Sequence, residues 1–138
     1  MRILAIDPGE KNIGIAISDP SGTIANPLAI LRHISRPIDA ASIAELAASH
    51  QVVYIIVGQA LGEENQPTPQ SRRAARLATA IRSQTSLPVD LWDESGSTQA
   101  ARSALVYLNV SRSKRQGHHD DLAATYILQS YLDSRPER

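Results

Sequence analysis

The sequence predicts an α/β protein: one mixed five-stranded sheet, its first three strands antiparallel, with helices on both faces. Three observations predict it. Apolar runs at 3–6 and 13–17 are separated by the turn-forming stretch Asp7-Pro8-Gly9-Glu10-Lys11-Asn12, which suits an antiparallel pair. The run Val52-Val53-Tyr54-Ile55-Ile56-Val57-Gly58 is apolar and largely β-branched, as in a strand covered on both faces. Beyond residue 36, helix-like and strand-like segments alternate, which places a sheet between helical layers.

Each element follows from its own pattern. Arg2 to Ile6 suits a buried strand. In the second run, Ile13, Ile15 and Ile17 alternate with Gly14, Ala16 and Ser18, giving a strand with one crowded face. Asp19-Pro20-Ser21-Gly22 is a turn with proline at its second position. Residues 23–31 form a third strand, and Pro27 within it demands a sheet edge, because proline cannot donate to a ladder. Residues 36–51 follow as a helix, with Ala40, Ile43, Leu46 and Ala47 inward and Asp39 near its start, where an acid complements the dipole. After the strand at 52–58 comes a long polar loop at 59–70. A helix at 71–84 then turns Ala74, Leu77, Ala78 and Ile81 inward. A strand at 87–92 leads into Asp93-Glu94. A helix at 97–110, a basic loop at 111–119 and a closing helix at 120–133 complete the order βββ-α-β-α-β-α-α.

Composition narrows the function classes. The 138 residues, with 42% hydrophobic and 20% charged side chains, suit a single globular domain spanning 1–138. Without cysteine, disulfides, thiolate metal sites and cysteine nucleophiles are excluded. No apolar run is long enough for a membrane span, and the strand-like start lacks the pattern of a secretory leader, so a cytoplasmic location is expected. The formal net charge is zero, with 14 basic and 14 acidic residues, so no general nucleic-acid footprint is present. Only Lys11 and Lys114 of the basic residues are lysine. The remaining arginines suit bidentate phosphate binding, although a GC-rich genome would produce the same bias.

Three acids stand at element ends. Asp7 closes the first strand, Glu94 follows the last, and Asp120 opens the closing helix. Ligand sites in open α/β sheets collect beyond the carboxyl ends of parallel strands. If the first and last strands run parallel and adjacent, Asp7 and Glu94 reach one rim. Asp120 shares the helical stripe of Ala123, Ala124, Ile127 and Tyr131, whereas Asp121 lies with Thr125 and Leu128. Each acid also has a plainer reading: Asp7 as a turn residue, Glu94 as a solvated strand end, Asp120 as a helix N-cap. Brought together, three carboxylates repel and need a cation or a shared proton. All-oxygen ligands without cysteine favour Mg²⁺ or Mn²⁺ over zinc. Two such ions would support phosphodiester cleavage. The adjacent His118 and His119 cannot share a helix face, and His33 and His50 are isolated.

The stretch 3–28 resembles the opening of the YqgF/RuvX family, a bacterial branch of the RNase H-like nucleases. The matching residues are Asp7, Gly9, Lys11, Ile13, Gly14, Ala16, Ser18 and Asp19. The resemblance continues through Gly58, Pro69, Gln70 and Arg73, through the segment 87–98, and through 120–132, so it covers essentially the whole chain. It implies an RNase H-like fold and a metal-dependent endonuclease. Asp7, Glu94 and Asp120 would be the catalytic acids, and they would hold two Mg²⁺ or Mn²⁺ ions, with Asp121 as an auxiliary ligand. Lys11, Arg73, Arg112, Lys114 and Arg115 would contact the nucleic acid. The implied substrate is the 5′ end of pre-16S rRNA, with ribosomal particles as partners, or branched DNA of the Holliday-junction type. The chain departs from the family pattern at Ser95, where the family carries arginine after Asp-Glu, and at Gln59-Ala60, where it carries Leu-Pro. Two other readings remain at this point. One is a nucleic-acid-binding ribosome-assembly protein with weak catalysis. The other is an actin-type ATPase, for which one domain of this length is too short to enclose a nucleotide.

Overall fold

The computed structural model describes residues 1–94 and 119–135, except the side chains of 119–121. It contains β1 (Arg2–Pro8), β2 (Asn12–Ser18), β3 (Ala25–Arg32), α1 (Arg36–Ser49), β4 (Val52–Gln59), a 3₁₀ turn at Glu63–Asn65, α2 (Pro69–Arg82), β5 (Val89–Asp93) and α3 (His119–Ser134). The expected helix at 97–110 and most of the loop at 111–119 lie outside the described residues. No described helix is long and apolar enough to cross a membrane.

The strand order is β3-β2-β1-β4-β5. β1, β2 and β3 pair antiparallel, while β1–β4 and β4–β5 pair parallel. The mixed sheet with three antiparallel strands is therefore as expected. β3 is an edge strand, and its ladder with β2 shifts register between Ile15 and Ala16, where Ala16 faces Pro27. The proline sits at the irregularity, where its missing N–H costs least.

Strand alternation builds two cores. Leu4, Ile6, Ile15, Ile55 and Val57 point to one face and pack with Ile43 of α1 and Leu77 and Ile81 of α2. Ile3, Ala5, Ala16 and Ile56 point to the other, where Ala124, Ile127, Leu128 and Leu132 of α3 cover them. The inward residues expected of α2, namely Ala74, Leu77, Ala78 and Ile81, are all buried. α2 starts two residues earlier than its apolar pattern, because Thr68 and Ser71 form a reciprocal capping box and proline occupies the first turn.

Two acids have local structural roles. Asp39 lies in the first turn of α1, as expected, and is buried there, 3% exposed. Its carboxylate accepts the Ile34 N–H at 3.1 Å and meets His33 Nδ1 at 2.5 Å. Ser35 caps the helix and leaves Asp39 to lock the β3–α1 connection. Asp19 closes the second turn as expected, with its carbonyl accepting the Gly22 N–H at 2.9 Å and Gly22 at φ 73°. Its carboxylate accepts the Ile24 N–H, the Ser21 hydroxyl and the Thr23 N–H, which together hold it well below the usual carboxylate range.

Replacing Asp39 with alanine strands the Ile34 N–H in a partly buried site, and urea unfolding should show a loss of about 1–3 kcal/mol. For Asp19 the lowered folded-state pKa means its contribution is present above the ordinary carboxylate range. It is lost as pH falls through the folded value. The melting-temperature gap between wild type and Asp19→Asn should hold constant above about pH 5 and close in strong acid.

Candidate active site

Asp7 is the penultimate residue of β1, half-buried, with Gly14 of β2 directly opposite. Ile3 and Ala5 face α3, so the two-residue period puts Asp7 on the α3 face as well. Pro8, one step on, faces the α1–α2 side. The turn after it is closed by the Gly9 N–H donating to Asn12 O at 3.0 Å. A Cβ at Gly9 would lie 2.4 Å from that same oxygen. The turn's own closure therefore demands glycine here.

Glu94 follows β5. Its N–H donates to Gln59 O at 2.9 Å, which extends the parallel ladder one step past Asp93. Trp92 packs on the α3 face, its indole N–H donating to Ser130 Oγ at 3.0 Å. The strand period then sends Glu94 toward the same face. Its Oε2 is buried from solvent. Asp7 and Glu94 therefore stand at one rim, on one face of the sheet. They do not stand on adjacent strands: β4 runs between β1 and β5. The β3–α1–β4 crossover carries the chain past β2 and β1 and sets β4 beside β1, and β5 pairs on the outer side of β4.

The intervening strand ends at Gly58-Gln59, and Gly58 follows Val57, the partner of Ile6. A Cβ on Gly58 would lie 2.5 Å from Ile127 Cδ1. α3 thus presses directly on the backbone between the two acids. Farther along α3, Tyr131 packs against Tyr54 and Trp92. Gln129 holds Ala25 N and Thr23 O, at the end of the sheet away from the rim. The helix therefore descends from the rim, and its first turn, which carries Asp120 and Asp121, lies at the rim end. Asp120 precedes Ile127 by seven residues, about 10 Å of helix. The helical stripe that separates Asp120 from Asp121 in the sequence does not discriminate in the fold. Leu128 and Thr125, on the side of Asp121, are buried just as Ala124 and Ile127 are. α3 is covered on more than one face.

The donor set fits a hard divalent cation. Asp7 and Glu94 offer only oxygen, the donor type that hard divalent cations take, and Glu94 Oε2 is withdrawn from water. No three histidine, aspartate or glutamate side chains gather into a metal cluster among the described residues. The proposed third ligand belongs to the first turn of α3.

Of the expected nucleic-acid contacts, Lys11 is exposed in the β1–β2 turn at this rim, and its carbonyl accepts the His33 N–H at 2.8 Å. Arg73 lies on α2 and reaches Glu10 Oε1 at 3.4 Å, a surface pair of small energetic weight. Arg112, Lys114 and Arg115 lie outside the described residues. Gln70 plays a structural part, its amide bonding Ala60 N at 2.6 Å and Gly58 O at 3.2 Å and so clamping the segment after β4. Sequence reasoning missed Arg36, Arg72 and Arg76, which share a cavity with Arg73. The 72, 73, 76 spacing on one helical side was a usable signal, but Arg36 joins them only through tertiary packing.

Gly58→Ala should move Ile127 and tilt the rim end of α3. We expect a loss of about 1–3 kcal/mol in urea unfolding. Ile127→Val in the Gly58→Ala background should restore part of it by removing the clashing Cδ1.

Comparison with known proteins agrees with this architecture. The family model described as "RuvX: Holliday junction resolvase" matches residues 1–134. A Clostridium botulinum protein (strain Hall) provisionally named a pre-16S rRNA nuclease is 38% identical over 134 residues, covering 97% of this chain and 98% of its own length. A Thermoanaerobacter pseudethanolicus protein of the same name is 38% identical over 139 residues, with both chains covered in full. Among solved structures, Thermus thermophilus RuvC superimposes with a TM-score of 0.64 at 12% identity, covering 96% of this chain and 95% of the other. The fowlpox virus Holliday junction resolvase gives 0.60 at 19% identity, covering 97% and 99%. These structural likenesses establish a shared RNase H-like fold, and the family match with the 38% identities places the chain in the RuvX (YqgF) family.

Proposed function

We propose that this chain, acting as one domain, is a divalent-metal-dependent endonuclease that trims the 5′ end of pre-16S rRNA in the cytoplasm, on or near assembling ribosomal particles. The observation that carries the reading is the placement of Asp7 and Glu94 on one face of one rim, beside the first turn of α3. The names of its relatives supply the substrate.

In this mechanism Asp7, Glu94 and Asp120 would hold two Mg²⁺ or Mn²⁺ ions, with Asp121 as a further oxygen donor. The ions would supply an activated water and neutralise charge on the leaving oxygen. The chain's own residues do the positioning. Asp7 sits on a strand paired on both sides, so its carboxylate is fixed by the ladder rather than by a loop. Glu94 is tied by its backbone to Gln59. Lys11 at the rim, with Arg73, Arg112, Lys114 and Arg115, would hold phosphates and set the register of the strand to be cut without reading its sequence. A second reading, cleavage of branched DNA, draws on the family's description as a Holliday junction resolvase.

Purified protein with Mg²⁺ or Mn²⁺ should cut a precursor rRNA fragment near the mature 5′ end. Asp7→Asn should lower the rate at least about 100-fold, more than loss of an outer-shell group usually costs. Chelation should stop the reaction and added Mg²⁺ should restore it. Cutting that persists unchanged in Asp7→Asn sinks the mechanism. Preference for a four-way DNA junction over the rRNA fragment selects the second reading.

A further inference from the structure

On the opposite side of the rim from Asp7, a cavity of about 370 Å³ opens between the β1–β2 turn, α1 and α2. Pro8, Gly9 and Glu10 form its inner wall, and four arginines, Arg36, Arg72, Arg73 and Arg76, line it. Two carboxylates share the space. Asp39 is already engaged by His33 and the Ile34 N–H, and Glu10 meets only Arg73 among the ion pairs of the described residues. Arg36, Arg72 and Arg76 are exposed, and no described carboxylate forms an ion pair with them. Four guanidinium groups around one hollow repel one another, and a multivalent oxyanion is the ligand that relieves this.

The shape of the space selects among such anions. A second, shallower cavity of about 470 Å³ continues from the first and shares Arg36 and Arg76 with it, running along α2 past Thr79 to Ser83. A compact anion would fill one hollow. A groove that begins beside the Asp7 strand end and runs on between two helices fits an extended chain of phosphates.

We infer that the α1–α2 groove, through Arg36, Arg72 and Arg76, binds the phosphodiester backbone of the polynucleotide substrate on the face of the sheet opposite Asp7 and Glu94. This rests on the nuclease reading for the identity of the substrate. The turn Pro8-Gly9-Glu10 is then the ridge over which the strand passes from groove to rim. The site needs no base contacts, so it should bind all sequences alike.

The test is binding of a single-stranded RNA oligonucleotide without metal, followed by fluorescence anisotropy across a salt series. Wild type is compared with Arg36→Ala/Arg76→Ala and with Arg36→Lys/Arg76→Lys. Both positions are exposed arginines, so thermal melting should match wild type. If the groove binds phosphate, the alanine pair should lower affinity several-fold at low salt and flatten the log–log salt slope by about 1.4 for two single-strand contacts, and the lysine pair should recover most of the slope. An unchanged slope in the alanine pair overturns the inference. So does tight binding of a nucleoside monophosphate that the alanine pair abolishes while oligonucleotide binding is unaffected, which would mark a small-ligand site. Because the assay reads binding alone, a wild-type protein that binds with the expected slope but never cuts would refute the nuclease reading and leave the groove standing.

Discussion

The contact between Ile127 and the bare backbone of Gly58 fixes the geometry on which the site depends. Any side chain at Gly58 would meet Ile127 Cδ1 at 2.5 Å. α3 therefore lies close against the sheet at Gly58, on the strand that separates the two acid-bearing strands. Tyr131 against Trp92 and Tyr54, and Gln129 against the start of β3, fix the helix at its other end. With both contacts made, its first turn can lie only at the rim where β1, β4 and β5 end. Three acids far apart in sequence reach one end of the fold through backbone topology.

Parallel pairing supplies the other half of this constraint. β1, β4 and β5 point their carboxyl ends the same way, so residues that end these strands share a rim whatever the loops do. Parity then sorts them by face. Asp7 goes with Ala5, and Glu94 with Trp92, toward α3, while Pro8 goes toward α1 and α2. A one-residue slip in either strand would move a carboxylate to the arginine side. The tight Gly9 turn and the Glu94–Gln59 bond guard against that slip at the points where it would matter.

Much of this was legible in the sequence, because local pattern and tertiary role agree for most elements. The β-branched run at 52–58, the stripe of α2 and the proline in β3 each have one physical solution. The identity of the neighbours was less legible. Nothing local says that β4 separates β1 from β5, since strand order is set by tertiary pairing. Asp39 stands in the first turn of α1 as its position suggests, but nothing local shows that its carboxylate is buried against His33 and the Ile34 N–H. Asp120 and Asp121 could not be separated by stripe, because a helix covered on several sides has no single inward face. Arg36 joins the arginines of α2 only through the packing of α1 beside α2.

A neutral chain is an unpromising nucleic-acid binder only when its charge is mixed evenly. Here the sheet sorts part of it: Asp7 and Glu94 lie on the α3 side of the rim, and Arg36, Arg72, Arg73 and Arg76 lie on the α1–α2 side, where they outnumber Glu10 and Asp39. Net charge averages these away, while the field near each face does not. The acidic side would repel phosphate until divalent ions neutralise it. The arginine side would attract phosphate without them. In the proposed nuclease that division makes binding and cutting separable: the groove can hold the strand before metal arrives, and cations at the rim are needed only where a phosphate must approach the carboxylates.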